Sequence, residues 1–275
     1  MSFLRRYWLS AVAVLASVVV FLVPFAFILL MAFKDQKQAS LLDFSWPAGN
    51  YLWSNIVEVV TTRNWMLLTA FINSTILTVA SVTLLVIFAA MVGFVLQRRK
   101  TRFNGLIEFL ILAGLMIPPA VVPTIWLLQS LGLFAKLHGM VLIEVAYQIS
   151  FSILLYRAFI ATIPRELDEA AIIDGARPFD VFFRVILPLL WPVTVTNIVV
   201  QSVAIFNDFT NPLYYLPGNA NATVQLTLYN FQSQFQTSYN LLFTNIALIT
   251  IPPLLVFLFF NRQIVAGMTA GAVKG

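Results

Sequence analysis

Few residues in this 275-residue chain could do chemistry, and their types exclude most of it. Cysteine is absent and histidine occurs once, at His138, so disulfides and thiolate metal sites are ruled out. No GxxxxGK[ST] loop is present to cradle a nucleotide's phosphates, so the chain is not expected to bind ATP itself. Nothing is arranged as a catalytic triad, a metal-ligand cluster or a carboxylate pair for acid–base work. What stands out is a set of polar side chains inside apolar runs. Thr194, Asn197, Gln201, Asp208 and Asn211 fall on one face at helical spacing, with Asn207 in the same run. Amide and carboxylate groups there could line a path and bond the hydroxyls of a passing solute. They could equally glue one helix to another. Glu144 and Gln148 lie one helical turn apart and could join the same path, with an anchor at the membrane surface as the alternative for Glu144.

The densest polar stretch is residues 164–188, PRELDEAAIIDGARPFDVFFRVILP. It reads as two short helices. Pro164 suits a first turn, where Glu166, Asp168 and Glu169 meet the positive end of the helix dipole. Gly175 is a natural stop, because glycine alone enters the left-handed region without steric cost. Pro178 restarts a helix with Phe179, Phe182, Phe183, Ile186, Leu187 and Leu190 as its apolar stripe. Pro188 predicts a kink or an end. A small Ala/Ile face ringed by charge suits docking on another protein; a solvated loop is the plainer alternative.

The elements that hold these residues are membrane spans. Hydrophobic residues make up 60% of the chain and charged ones 10%, with a mean hydropathy of +0.91, against about 45–50% and about 25% in soluble domains. Apolar runs of the ~20 residues needed to cross a bilayer fall near 8–33, 66–96, 106–128, 139–162, 191–213 and 241–260. Pro118, Pro119 and Pro123 interrupt the third. Arg98, Arg99, Lys100 and Arg102 form the densest basic cluster, which the positive-inside rule puts in the cytoplasm. Both termini and the 163–190 loop then lie inside, and residues 34–65, 129–138 and 214–239 outside. The net charge of +5 reflects these loops and implies no nucleic-acid partner. A single membrane domain over 1–275 is expected.

Glu169-Ala170-Ala171, then Asp174-Gly175-Ala176 and Val185-Ile186-Leu187-Pro188, resembles the EAA signature of ABC importer permeases. Val185 stands where the signature usually has Ile. The terminal run from Arg262 to Gly275 is similar to the tail of the smaller permease subunit of maltose-type transporters. Asn207-Asp208-Phe209 with Pro212-Leu213 resembles a run common in carbohydrate-type permeases. The usual Asp near Tyr239-Asn240 is absent.

This resemblance implies an all-α integral membrane protein, with six transmembrane helices of the type I ABC importer permease fold and a cytoplasmic coupling helix. It implies import of a sugar or oligosaccharide across the cytoplasmic membrane; an amino acid, peptide or phosphate importer is the alternative. It also implies a second permease subunit, two ATP-binding subunits that use ATP and magnesium, and an extracytoplasmic solute-binding protein. On this chain it assigns ATPase coupling to Glu166, Glu169, Ala170, Ala171, Ile172, Asp174, Gly175, Leu187 and Pro188. It assigns ATPase contact in the 261–275 tail to Arg262, Gly267, Thr269, Gly271 and Lys274. A secondary transporter and a non-transporting scaffold are the other classes; co-purification with an ATPase would separate them.

Overall fold

A backbone in hydrocarbon must satisfy its own hydrogen bonds, so long apolar runs become helices. The computed structural model describes the backbone at residues 2–232 and 237–272, and side chains at 8, 10–232 and 237–261. Helix α1 (Ser2–Phe33) carries Pro24 inside it. The single turn α2 (Gln36–Ala39) is capped by Asp35, whose Oδ1 accepts the Gln38 amide at 2.8 Å. Helix α3 (Leu52–Arg98) breaks at 62–65: Thr62 is extended, and Arg63, Asn64 and Trp65 are left-handed. The break falls where the sequence divides the external segment from the second span.

Helices α4 (Asn104–Met116) and α5 (Val121–Ser130) meet at 115°. The third span is therefore two helices, a sharper division than an interrupted single helix. Pro118 forces Ile117 into extended backbone (φ −78°, ψ 121°), and neither Pro118 nor Pro119 can donate a helical bond. Helix α6 (Leu137–Ile160) is the fourth span. Then follow α7 (Glu166–Ile173), α8 (Pro178–Asp180), a π-helical turn (Val181–Ile186), α9 (Leu187–Leu189) and α10 (Trp191–Phe206). The segment Pro178–Leu189 meets α10 at 74°. A short α11 (Thr210–Tyr215) and a 3-10 helix (Gln225–Phe231) lead to α12 (Tyr239–Ala272).

Among the described residues, four helices are long and apolar enough to cross a membrane, and the count is six when each of the two bent pairs is taken as one span. The C-terminal run differs from the expected separate tail. The backbone of α12 stays helical through Ala272, carrying Arg262, Gly267, Thr269 and Gly271 along it; Lys274 lies outside the described residues. Once a helix is nucleated each added residue gains a bond, and within 262–272 the residues that most oppose it are Gly267 and Gly271, at about 1 kcal/mol each.

The chain forms two compact units. In the first (Met1–Thr69 with Leu226–Ile251), Lys34 is wholly buried. Its ammonium donates to the Asp43 carbonyl (2.8 Å), Asp43 Oδ1 (2.8 Å) and Ser45 Oγ (3.1 Å). The Lys34 bond to Oδ1, followed by those the Ser45 hydroxyl (2.6 Å) and amide (3.1 Å) donate to the same oxygen, holds the Asp43 carboxyl down at about 2. Asn55 donates to the Ala32 and Lys34 carbonyls and accepts from Asn240 at 2.8 Å. In the second (Ala70–Gln225 with Pro252–Gly275), one apolar cluster centres on Tyr156, Ile160, Ile186 and Leu190. Another centres on Leu85, Met140, Ile205 and Tyr215.

Candidate functional site: an exposed helix and a buried polar seam

Helix α7 begins later than the sequence suggests. Pro164 precedes it, and the Arg165 carbonyl accepts the Asp168 (2.9 Å) and Glu169 (3.1 Å) amides. Glu166, Asp168 and Glu169 occupy the first turn, as the helix dipole favours. The helix ends in a Schellman motif: Ala176 N donates to the Ala171 carbonyl (2.9 Å) and Gly175 N to that of Ile172 (3.0 Å). Gly175 has φ +86°, and a side chain built there would meet no atom within 4 Å. The glycine is required by its backbone, not by crowding.

Most of α7 faces outward. Glu166, Glu169, Ala170 and Ile172 are exposed, as is Asp174 at its end. Ile173, 85% exposed, extends that apolar surface. Ala171 is half-buried against the core, and Leu187 packs there too, while Pro188 is exposed. One carboxylate turns inward. Asp168 Oδ2 lies 2.6 Å from Arg98 Nε, at the end of α3. Arg98 Nη2 also donates to the Ile163 carbonyl (3.0 Å), and Arg165 Nη2 to that of Gln97 (3.2 Å). A cavity of ≈ 570 Å³ opens beside this pair, lined also by Phe94, Ile172, Phe179 and Phe182.

The π-helical turn just before Pro188 has no counterpart in the sequence reading. Its cause is local. Pro188 cannot donate, and its ring would strike the Arg184 carbonyl in a regular helix, so the ladder widens ahead of it. Pro192 follows four residues later. Between them the Leu190 amide is shared by the Ile186 and Leu187 carbonyls, both at 3.1 Å, and the chain turns.

The polar line of the fifth span does not stay on one helix. Helix α10 stops at Phe206 and Asn207 is its exposed C-cap. Asp208 Oδ1 accepts the Thr210 (3.0 Å) and Asn211 (3.3 Å) amides, starting α11 instead. A short acceptor that competes for backbone amides ends helices, whatever the periodicity of the side chains around it.

On α10 itself, Asn197 and Gln201 are 0% and 1% exposed. Ser152 of α6 donates to Asn197 Oδ1 and accepts from Gln201 Nε2, both at 3.0 Å; Tyr156 donates to Thr194 at 3.1 Å. Within the chain this is a seam between α6 and α10. Glu144 is 1% exposed, so it is not a surface anchor. Gln148 and Asn211 are half-buried. Asn207 Oδ1 accepts from Gln225 Nε2 at 3.1 Å. A further pair, Arg157–Glu108 at 2.8 Å, ties α6 to α4.

Residues 86–270 match the family described as binding-protein-dependent transport system inner membrane component. The chain belongs to this family. Among curated relatives, this permease is 29% identical to the probable starch degradation products transport system permease AmyC of Thermoanaerobacterium thermosulfurigenes, over 98% of this chain and 97% of that one. It is 32% identical to the melibiose/raffinose/stachyose import permease MelC of Bacillus subtilis, over 75% and 76%.

Two solved structures resemble the permease in fold. A chain of a bacterial ABC transporter that imports the acidic polysaccharide alginate has a TM-score of 0.80 at 19% identity, covering 95% of this chain and 98% of that one. A chain of the MetNI methionine ABC transporter has 0.57 at 17%, covering 74% and 96%. The permease is a multi-pass membrane protein with the type I importer permease fold.

Proposed function

We propose that this chain is one permease subunit of an ATP-driven importer of carbohydrate. The observation that carries the reading is end-to-end similarity to permeases named for starch degradation products, multiple sugars and diacetylchitobiose. The methionine transporter shares the fold at lower coverage, which gives the amino-acid alternative little weight.

In this reading the chain pairs with a second permease, two ATPase subunits that bind ATP and magnesium, and an extracytoplasmic binding protein. Hydrolysis belongs to those ATPase subunits, and both termini of this chain lie in the cytoplasm. Helix α7 is the coupling helix. Glu166, Glu169 and Asp174 meet the ATPase through charge, Ala170 and Ile172 fill its cleft, and Ala171 and Gly175 hold the helix in place. Leu187 and Pro188 shape the second segment. The run carrying Arg262, Gly267, Thr269, Gly271 and Lys274 also contacts the ATPase. Asn207, Asn211 and Gln148, which are exposed or half-buried, are the path candidates that a solute could reach. Asn197, Gln201, Glu144 and Asp208 serve it indirectly, by fixing the wall.

ATP hydrolysis by the reconstituted complex, with binding protein and a panel of mono- and oligosaccharides, tests the function. Stimulation by one saccharide class is expected. Response to amino acids or peptides alone would remove the carbohydrate reading.

A further inference from the structure

A lever passes on a displacement only where its attachment is stiffer than the surface it pushes. On α7 the apolar attachment is thin: Ala171 is half-buried, and Leu167, Ile172 and Ile173 are exposed. The polar attachment is strong. Asp168 and Arg98 side chains are 13% and 9% exposed, and their groups approach to 2.6 Å. Two guanidinium groups cross in opposite directions. Arg98 of α3 reaches the Ile163 carbonyl ahead of α7, and Arg165 ahead of α7 reaches the Gln97 carbonyl of α3. An ion pair this close and mostly shielded from water resists separation more than an apolar contact resists sliding, because parting it leaves each charge without its partner. A planar guanidinium with several donors also fixes orientation as well as distance.

We infer that Arg98 and Asp168 are a positioning pair, the tether through which motion of α7 is handed to the end of α3. This rests on α7 being the coupling helix. The pair acts through that helix and touches neither nucleotide nor sugar. It stays closed throughout the cycle, so α7 and the last turn of α3 move as one body.

The test uses the whole reconstituted complex and reads sugar moved per ATP hydrolysed. Arg98→Gln and Asp168→Asn are each expected to lower that ratio by roughly fivefold or more, the scale of a coupling free energy between sites, while hydrolysis persists. The exchanged pair, Arg98→Asp with Asp168→Arg, should restore it. A ratio unchanged in the single variants, or unrestored in an assembled exchange, overturns the tether.

A second arm stands if a single variant fails to assemble. The chain has no cysteine, so Arg98→Cys with Asp168→Cys can be bridged by a short bifunctional thiol reagent. Transport that survives bridging is expected of a tether that never opens; transport abolished by bridging overturns it. Ile173→Glu, on the exposed face of α7, separates the two claims. If it leaves the ratio intact, the coupling-helix reading has failed. If it lowers the ratio while Arg98→Gln does not, only the tether has.

Discussion

At the scale of single residues, Gly175 closes α7 in the left-handed region, at φ +86°. Its place as a helix stop was legible, because a left-handed residue after a run of helix formers is most often glycine. The reason bulk matters was not. Open space surrounds the α-carbon, so the cost of substitution lies in the backbone, about 1–2 kcal/mol for a residue with a β-carbon held left-handed. Asparagine tolerates that region and a β-branched residue does not. Gly175→Asn is therefore expected to keep most transport, and Gly175→Val to lower sugar moved per ATP in a complex that still assembles. Normal coupling in an assembled Gly175→Val complex would show that the turn is dispensable. The Arg98–Asp168 pair was hidden for a different reason. Its partners are 70 residues apart, and each already had a local explanation, one as a basic flank of a span and the other as a first-turn acid.

At the scale of elements, the proline spacing decides the shape. Pro188 alone predicted a kink, but the 74° bend sits between Pro188 and Pro192, each of which removes a donor from the ladder. Pro192→Ala should let α9 and α10 share a continuous ladder and flatten the bend. Spin labels placed on α8 and on α10 would then move apart. An unchanged distance would assign the bend to the packing of the fully buried Leu190. Helix existence was readable throughout, since runs of apolar residues leave the backbone no other option. Helix ends were not. Asp208 ends the polar face early by taking two amides for itself. Asn197 and Gln201 meet Ser152 on another helix, a pairing no single-helix periodicity contains.

At the scale of the molecule, charge placement carries the orientation. Arg98, Arg99, Lys100 and Arg102 should face the cytoplasm, and the 214–239 segment the outside. The absence of native cysteine makes this direct to check. In intact cells, a membrane-impermeant maleimide is expected to label Asn219→Cys and to spare Lys100→Cys until the membrane is opened. The reverse pattern would invert the assignment and remove α7 from the cytoplasm with it. Class and topology could be read from composition because the bilayer permits so few architectures.

Helix α1 has a consequence of another kind. Every residue from 10 to 26 is exposed in the chain, and most are Val, Leu, Ala or Phe. Such a helix holds little information. Exchanges among aliphatic residues along it are close to silent, whereas one Asp or Lys at its centre costs about 2.5–3.5 kcal/mol of insertion energy. The bilayer thus asks that stretch for oiliness, whereas the buried seam and the turn at Gly175 ask for particular hydrogen bonds and a particular backbone.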